Sequence, residues 1–129
     1  MLAIDTNVIV RYLTGDHPKQ SARARAVIDG EEVFVATTVL LETEWLLRSA
    51  YAFDPTQVCR ALRAFAGLPR VSLEDPPLVA TALARMERGM DFADALHLGR
   101  AEACDALVTF DRHFIRAARS IGAQHVRAP

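Results

Sequence analysis

Short apolar runs alternate with amphipathic stretches along the chain. The runs predict β-strands at residues 2–4, 33–35, 71–73 and 106–108, with a weaker fifth at 124–126. Helical spacing of apolar residues predicts helices between them, three of which lie near 37–51, 55–66 and 76–89. Strand followed by helix, repeated in this way, is typical of an α/β fold with a mainly parallel sheet.

Two acids that follow predicted strands stand out as candidate site residues. Asp5 comes directly after the first strand, and Asp111 follows the fourth by way of Thr109 and Phe110. Ligands of parallel α/β sheets bind beyond the carboxyl ends of the strands, so both carboxylates are candidate site residues. Each also has a structural explanation, because Asp is a favoured N-cap residue and a helical pattern follows both positions.

A third candidate, Glu42, is predicted to point into the apolar side of its helix. Its neighbours three residues before and three and four residues after are Val39, Trp45 and Leu46. An unpaired buried carboxylate costs several kcal/mol, so Glu42 needs either a buried Arg partner or a cation. Glu44 precedes Arg48 by four residues, which predicts a solvated ion pair without a functional role.

Asp91 and Asp94 open a further helix, where the helix dipole favours negative charge. Met90 and Leu98 lie four residues before and after Asp94, so Asp94 is expected to face inward, and Asp91 is the better capping residue. His97, three residues after Asp94, could contact a ligand or substrate, but it is expected either to support the ligands from behind or to be a partly buried structural residue.

Four acids gathered at one edge of the sheet imply a cation. They are Asp5, Glu42, Asp94 and Asp111. Two carboxylates repel by about 4 kcal/mol at 4 Å with an effective dielectric near 20. Oxygen ligands without Cys or a second His nearby suit Mg²⁺ or Mn²⁺ rather than zinc. Such a cation activates water and neutralises the charge that builds up on a phosphate, so the chemistry implied is phosphodiester hydrolysis.

Composition narrows the class of protein. A chain of 129 residues with 51% hydrophobic and 24% charged residues is expected to be one ordinary globular domain. No cationic leader precedes Asp5, so a cytoplasmic location is expected, with Cys59 and Cys104 as core thiols in a reducing compartment. The net charge is −1, but the 15 basic residues outnumber the acids outside the candidate site. Some Arg residues at helical spacing could guide a phosphate backbone: Arg60 and Arg63, Arg85 and Arg88, and Arg112, Arg116 and Arg119.

At this point the sequence resembles a PIN domain, and within that group the VapC-type ribonuclease toxins of bacterial toxin–antitoxin pairs. The matching segments are residues 2–8, 40–43, 91–96 and 108–111, in the same order and spacing. The resemblance assigns the acidic quartet of the family to Asp5, Glu42, Asp94 and Asp111, with Asn7 and Thr109 as polar supports around the metal.

The resemblance also implies a fold and an activity. The fold is a PIN-like three-layer α/β/α sandwich with a short, mainly parallel sheet of four to five strands, in a single domain over residues 1–129. The activity is that of a Mg²⁺-dependent endoribonuclease, with Mn²⁺ as an alternative ion. The implied partners are the RNA substrate, a second copy of the chain in a homodimer, and a small antitoxin protein that blocks the site.

Two other functions fit parts of the pattern. A haloacid-dehalogenase-type phosphatase also begins with an Asp after a strand, but it needs a second acid where Asn7 stands and a later catalytic Lys. The only lysine here is Lys19. A catalytically inactive PIN-like module that binds RNA or protein would keep the fold and lose acids, whereas all four acids are present. RNA cleavage that is lost with EDTA and restored by Mn²⁺ separates an enzyme from such a module.

Overall fold

The computed structural model describes residues 1–123 and 125–129 of the chain. By their contacts these residues fall into two units, Met1–Pro76 and Pro77–Pro129. Within these ranges no helix is long and apolar enough to cross a membrane.

The strands of the first unit form a parallel sheet in the order β1-β2-β3. They are β1 (Leu2–Ala3), β2 (Val33–Val35) and β3 (Val71–Leu73). Val33 of β2 is in register with Leu2 of β1 and with Val71 of β3. Val33 and Val35 are fully buried, as expected of a central strand with both faces covered. The predicted strands at 33–35 and 71–73 are therefore confirmed residue for residue.

Four helices accompany this sheet in the described part of the first unit. They are α1 (Thr6–Thr14), α2 (Pro18–Gly30), α3 (Thr37–Ser49) and α4 (Pro55–Ala66). Helix α1 ends at Gly15, whose φ of 64° lies in the left-handed region that glycine adopts without steric cost. Helix α4 begins with a capping box, in which Asp54 and Gln57 each accept the other's backbone N–H at 2.8 Å.

Helix α2 has no counterpart among the predicted helices. Its buried residues are Ser21, Ala24 and Ile28, of which only Ile28 is a large apolar side chain. A face built mostly from small residues gives a weak hydrophobic pattern, although the spacing of three and four residues is helical. The helix is started by His17, whose ring accepts a hydrogen bond from the backbone N–H of Gln20 at 3.2 Å.

The second unit contains three helices and two strands in its described residues. They are α5 (Pro76–Glu87), which begins at the boundary, α6 (Phe92–Arg100), β4 (Leu107–Val108), α7 (Arg112–Ser120) and β5 (Val126–Arg127). Strands β4 and β5 pair in parallel, with Leu107 opposite Val126. The weak strand predicted at 124–126 thus overlaps β5 at Val126, and Gln124 lies outside the described residues.

The predicted α/β class with parallel strands is confirmed. In the described ranges the five short strands form a sheet of three and a sheet of two, where the sequence predicted one sheet of four to five strands. Strands β1, β4 and β5 have two residues each, and each forms a ladder with one neighbour only.

The buried face of α3 differs from the predicted one. Its buried residues are Leu40, Thr43, Glu44 and Leu47. Glu42 is exposed, and Trp45 is 56% exposed, so the prediction that Glu42 lies on the apolar side is wrong. Apolar residues surround this helix at 39–41 and 45–47, and their spacing therefore does not select a single inward face.

Glu44 is instead the buried carboxylate of α3, with an exposure of 0%. Arg48, one turn later, donates from Nε to Oε1 and from Nη2 to Oε2 at 3.1 Å. The predicted pairing of these residues is present, but the prediction that the pair is solvated is wrong for Glu44. A bidentate guanidinium is the partner that such a buried carboxylate requires.

The two cysteines have different environments. Cys59 on α4 is buried, as predicted for a core thiol. Cys104 is exposed, so the same prediction is wrong there. It lies in the turns that follow α6, where the chain is largely exposed from 102 to 105.

Replacement of Arg48 tests the buried pair. Arg48→Met leaves the Glu44 carboxylate buried without its bidentate partner, and we expect the free energy of unfolding to fall by about 2–3 kcal/mol. Arg60→Met on exposed α4 surface is the matched control, with an expected change within about 0.5 kcal/mol. Urea denaturation measures both. Equal stabilities of the two variants would show that Glu44 does not depend on Arg48.

Candidate active site

Asp5 is the N-cap of α1. Its Oδ1 accepts a hydrogen bond from the backbone N–H of Thr6 at 2.8 Å, and the side chain is exposed. Its Oδ2 accepts no hydrogen bond from any residue that the structure describes. The capping role and a metal-binding role are therefore compatible, because the cap uses one carboxylate oxygen and the other is available to a ligand.

Glu42 is joined to α1 by a hydrogen bond to its Oε1 from the hydroxyl of Thr6, which is itself buried. Thr6 follows Asp5 directly, so the first unit brings the neighbourhoods of these two predicted site residues together. Thr6 is not among the site residues predicted from the sequence. A contact between side chains 36 positions apart leaves no periodic signal in the sequence.

Asn7 lies in the first turn of α1 and is exposed. It lines a cleft between α1 and α2, and its side chain has no hydrogen bond with the described residues. Asn7, the predicted supporting residue, therefore lies two positions after Asp5 on the side of α1 that faces α2.

In the second unit, Asp111 is the N-cap of α7. Its Oδ1 accepts hydrogen bonds from the backbone N–H groups of His113 at 2.9 Å and Phe114 at 3.1 Å. The hydroxyl of Thr109 accepts a hydrogen bond from the backbone N–H of Asp111 at 3.0 Å. Thr109 therefore supports the turn that carries Asp111, and Oδ2 of Asp111 accepts no hydrogen bond from the described part of the chain.

Asp91 caps α6, as predicted, by accepting a hydrogen bond from the backbone N–H of Asp94 at 3.3 Å. The carboxylate of Asp94 is half-buried and accepts no hydrogen bond within residues 1–123 and 125–129. Burial raises the pKa of Asp94, and the nearby charges of Asp91 and Asp111 raise it further, while His97 and His113 oppose the shift. The second unit thus brings Asp94 and Asp111 close enough to repel each other.

His97 is exposed, which contradicts a partly buried structural position, whereas a supporting role behind the ligands stays a prediction. It lies one turn after Asp94 on α6, and its charge favours the ionised form of that carboxyl group. His113 is exposed and acts on Asp94 in the same direction.

Carboxylate oxygens are the chemically important groups in both units. Asp5 and Glu42 provide them in the first, and Asp94 and Asp111 in the second. Oxygen donors without a thiolate suit a hard cation such as Mg²⁺ or Mn²⁺, and the half-buried Asp94 carboxylate, which accepts no hydrogen bond from the described residues, fits such an ion. Among the described residues no group of three or more His, Cys, Asp or Glu side chains is close enough to hold a metal ion. Convergence of the four acids stays a prediction.

Comparison with known protein families places the chain by its overall sequence. The family model described as PIN domain matches residues 2–120, which is nearly the whole chain. No curated protein sequence matches the chain.

The raised pKa of Asp94 predicts how its neutralisation affects stability. A carboxyl group whose pKa is higher in the folded state costs stability once it ionises, above that pKa. Asp94→Asn should therefore raise the melting temperature at pH 7 in EDTA, and the gain should shrink as the pH falls toward about 4, where the carboxyl of the unfolded chain also becomes protonated.

Thermal unfolding followed by circular dichroism between pH 4 and pH 8 measures this difference. Asp54→Asn is the control, since it removes one charge at an exposed N-cap where Asn caps as well as Asp. A lower melting temperature for Asp94→Asn at pH 7 would indicate that a cationic side chain neutralises this carboxylate.

Proposed function

Because the chain belongs to the PIN domain family, whose members are commonly nucleases, we propose that it is a metal-dependent endoribonuclease that hydrolyses RNA phosphodiester bonds. The nuclease fold follows from the family, and PIN domains generally use divalent metal ions. Membership in this family also argues against the alternative of a haloacid-dehalogenase-type phosphatase.

The environment of Asp94 is the observation that carries the proposal. This carboxylate is half-buried, accepts no hydrogen bond from the described residues, and has Asp91 and Asp111 close by. A protein that only needed a stable fold would gain by neutralising such a group, because burial and both neighbours disfavour its charge. Perturbed carboxylates of this kind are typical of catalytic and metal-binding sites.

The proposal assigns metal-ligand and catalytic roles to the four predicted acids, Asp5, Glu42, Asp94 and Asp111, with supporting roles for Asn7 and Thr109. When bound, Mg²⁺ or Mn²⁺ supplies an activated water and stabilises charge on the phosphate.

The residues of this chain hold and orient the carboxylates. The first-turn amides of α1 and α7 fix one oxygen each of Asp5 and Asp111. The hydroxyl of Thr6 does the same for Oε1 of Glu42, and Thr109 holds the turn before α7. These contacts reduce the conformational freedom of the carboxylate side chains before the substrate binds.

Asp5→Asn tests the nuclease proposal against a matched control. Asparagine caps a helix as well as aspartate, so the variant removes one proposed ligand charge and keeps α1 intact. We expect RNA cleavage in saturating Mg²⁺ to fall by at least about 100-fold, as for loss of a main electrostatic contact in an active site. Asp54→Asn makes the same chemical change at the cap of α4 and should retain full activity.

The metal is tested with the same assay. EDTA should abolish cleavage by the wild type, and Mn²⁺ or Mg²⁺ should restore it. Wild-type protein that binds RNA without cleaving it in either ion would instead be the inactive binding module. If Asp5→Asn kept more than a tenth of the wild-type activity, Asp5 would not be a ligand of the active site.

We further propose that the protein is the toxin of a toxin–antitoxin pair and forms a homodimer. The support is the resemblance of segments 2–8, 40–43, 91–96 and 108–111 to VapC-type toxins. An antitoxin that blocks the site would do so most directly with an Arg side chain placed against the carboxylates, because bidentate Arg–carboxylate pairs are strong.

Co-expression with the small protein encoded next to this chain should give a stable complex that lacks RNA cleavage. Light scattering on the purified chain at micromolar concentration should give twice the mass of 14.2 kDa. Two results together would contradict this part of the proposal. The chain would stay monomeric at micromolar concentration, and it would keep full activity when each small protein encoded beside it is added.

A further inference from the structure

A cleft of about 270 Å³ lies between α1 and α2, outside the acidic residues described above. Its polar lining is Asn7, Arg11, Gln20 and Arg23, and its apolar lining includes Val8 and Val27. No acidic side chain lines it. The cleft therefore combines donor groups for an anion with an apolar surface.

Arg11 is held in place by several hydrogen bonds. Its Nε donates to Oε1 of Gln20 at 2.8 Å, and its Nη1 donates to the Asp16 carboxylate at 3.2 Å and to the Tyr51 hydroxyl at 3.1 Å. The hydroxyl of Tyr51 donates to Asp16 at 2.6 Å and lowers the pKa of that carboxyl group, which keeps it ionised as a partner for Arg11. Nη2 of Arg11 has no partner among the described residues. The guanidinium is thus oriented, with one nitrogen left for a ligand.

Arg23 supplies the uncompensated charge of the cleft. It is exposed on α2, one turn after Gln20, and its side chain forms no ion pair or hydrogen bond with the described residues. Asp16 offsets the charge of Arg11, whereas nothing described offsets that of Arg23. The planar guanidinium fork matches phosphate oxygens, and the apolar lining from Val8 and Val27 suits a ribose or base.

The cleft also begins beside the proposed active site. Asn7 stands two positions after Asp5 on the same helix, and Arg11 stands six positions after it. At 1.5 Å per residue this places Arg11 about 9 Å further along the helix axis. That distance corresponds to about two to three nucleotides of a stacked strand.

We propose that this cleft binds a phosphodiester of the single-stranded RNA substrate, with Arg23 and Nη2 of Arg11 on the phosphate. The inference rests on the proposed ribonuclease function and adds to it a substrate subsite. Neither arginine belongs to the clusters that helical spacing picks out in the sequence, because the cleft is made by two helices.

Steady-state cleavage of single-stranded RNA by Arg23→Ala tests the subsite. Loss of one phosphate contact should raise KM about 5- to 10-fold with kcat unchanged. The slope of log Kd against log salt for a labelled oligouridylate, measured in EDTA, should become shallower by about 0.7. Arg23→Lys keeps the charge without the fork and should recover part of the loss.

Arg25→Ala is the matched control. Arg25 is exposed on the same helix two positions away and does not line the cleft, so KM and the salt slope should stay at wild-type values. Equal KM and equal salt slope in Arg23→Ala and Arg25→Ala would overturn the proposal. It would also be overturned if Arg23→Ala left RNA binding intact and weakened binding of a protein inhibitor instead.

The two proposals fail in different ways. A wild type that cleaves RNA without any dependence on Arg23 removes the subsite and keeps the nuclease. A wild type that cleaves no RNA, yet binds oligouridylate in EDTA through Arg23, removes the nuclease and supports the subsite.

Discussion

Hydrogen bonds from the first amides of helices to aspartate carboxylates hold three of the acidic residues in place. Asp5, Asp91 and Asp111 each cap a helix in this way, and the first and last follow a short strand. A two-residue strand gives little positional control by itself. The helix cap adds this positional control, because the capping hydrogen bond fixes both the beginning of the helix and the direction of the carboxylate. A helix start and a candidate ligand are thus produced by the same interaction.

Local signals explain why much of the fold can be predicted from the sequence. Strand β2 is an apolar run that follows two glutamates, and β3 is a mostly apolar run between Arg70 and Glu74; both occur where predicted. The starts of α4 and α5 follow from Asp-Pro pairs, which need no knowledge of tertiary contacts. Helix α2 escapes prediction because its buried side is mostly small. The inward face of α3 escapes it because apolar side chains surround the helix, so packing decides which of them is buried.

The site shows the same division between local and long-range information. The sequence presented capping and ligand roles for Asp5 and Asp111 as alternatives, whereas the structure shows the cap occupying one oxygen of each carboxylate. The inward direction of Asp94 was available from its spacing to apolar residues. The contact between Thr6 and Glu42 was not, since it depends on how α1 packs on α3. The exposure of Glu42 and the burial of Glu44 depend on the same packing.

The half-exposed indole on α3 gives the first unit an optical reporter. Trp45 is the only tryptophan of the chain, and it lies three residues after Glu42, on the same side of the helix. All intrinsic tryptophan emission therefore comes from one ring in contact with water, about one helical turn from a carboxylate of the candidate site. Changes of charge or solvation around Glu42 can be followed in the unlabelled protein as shifts in the wavelength and intensity of that emission.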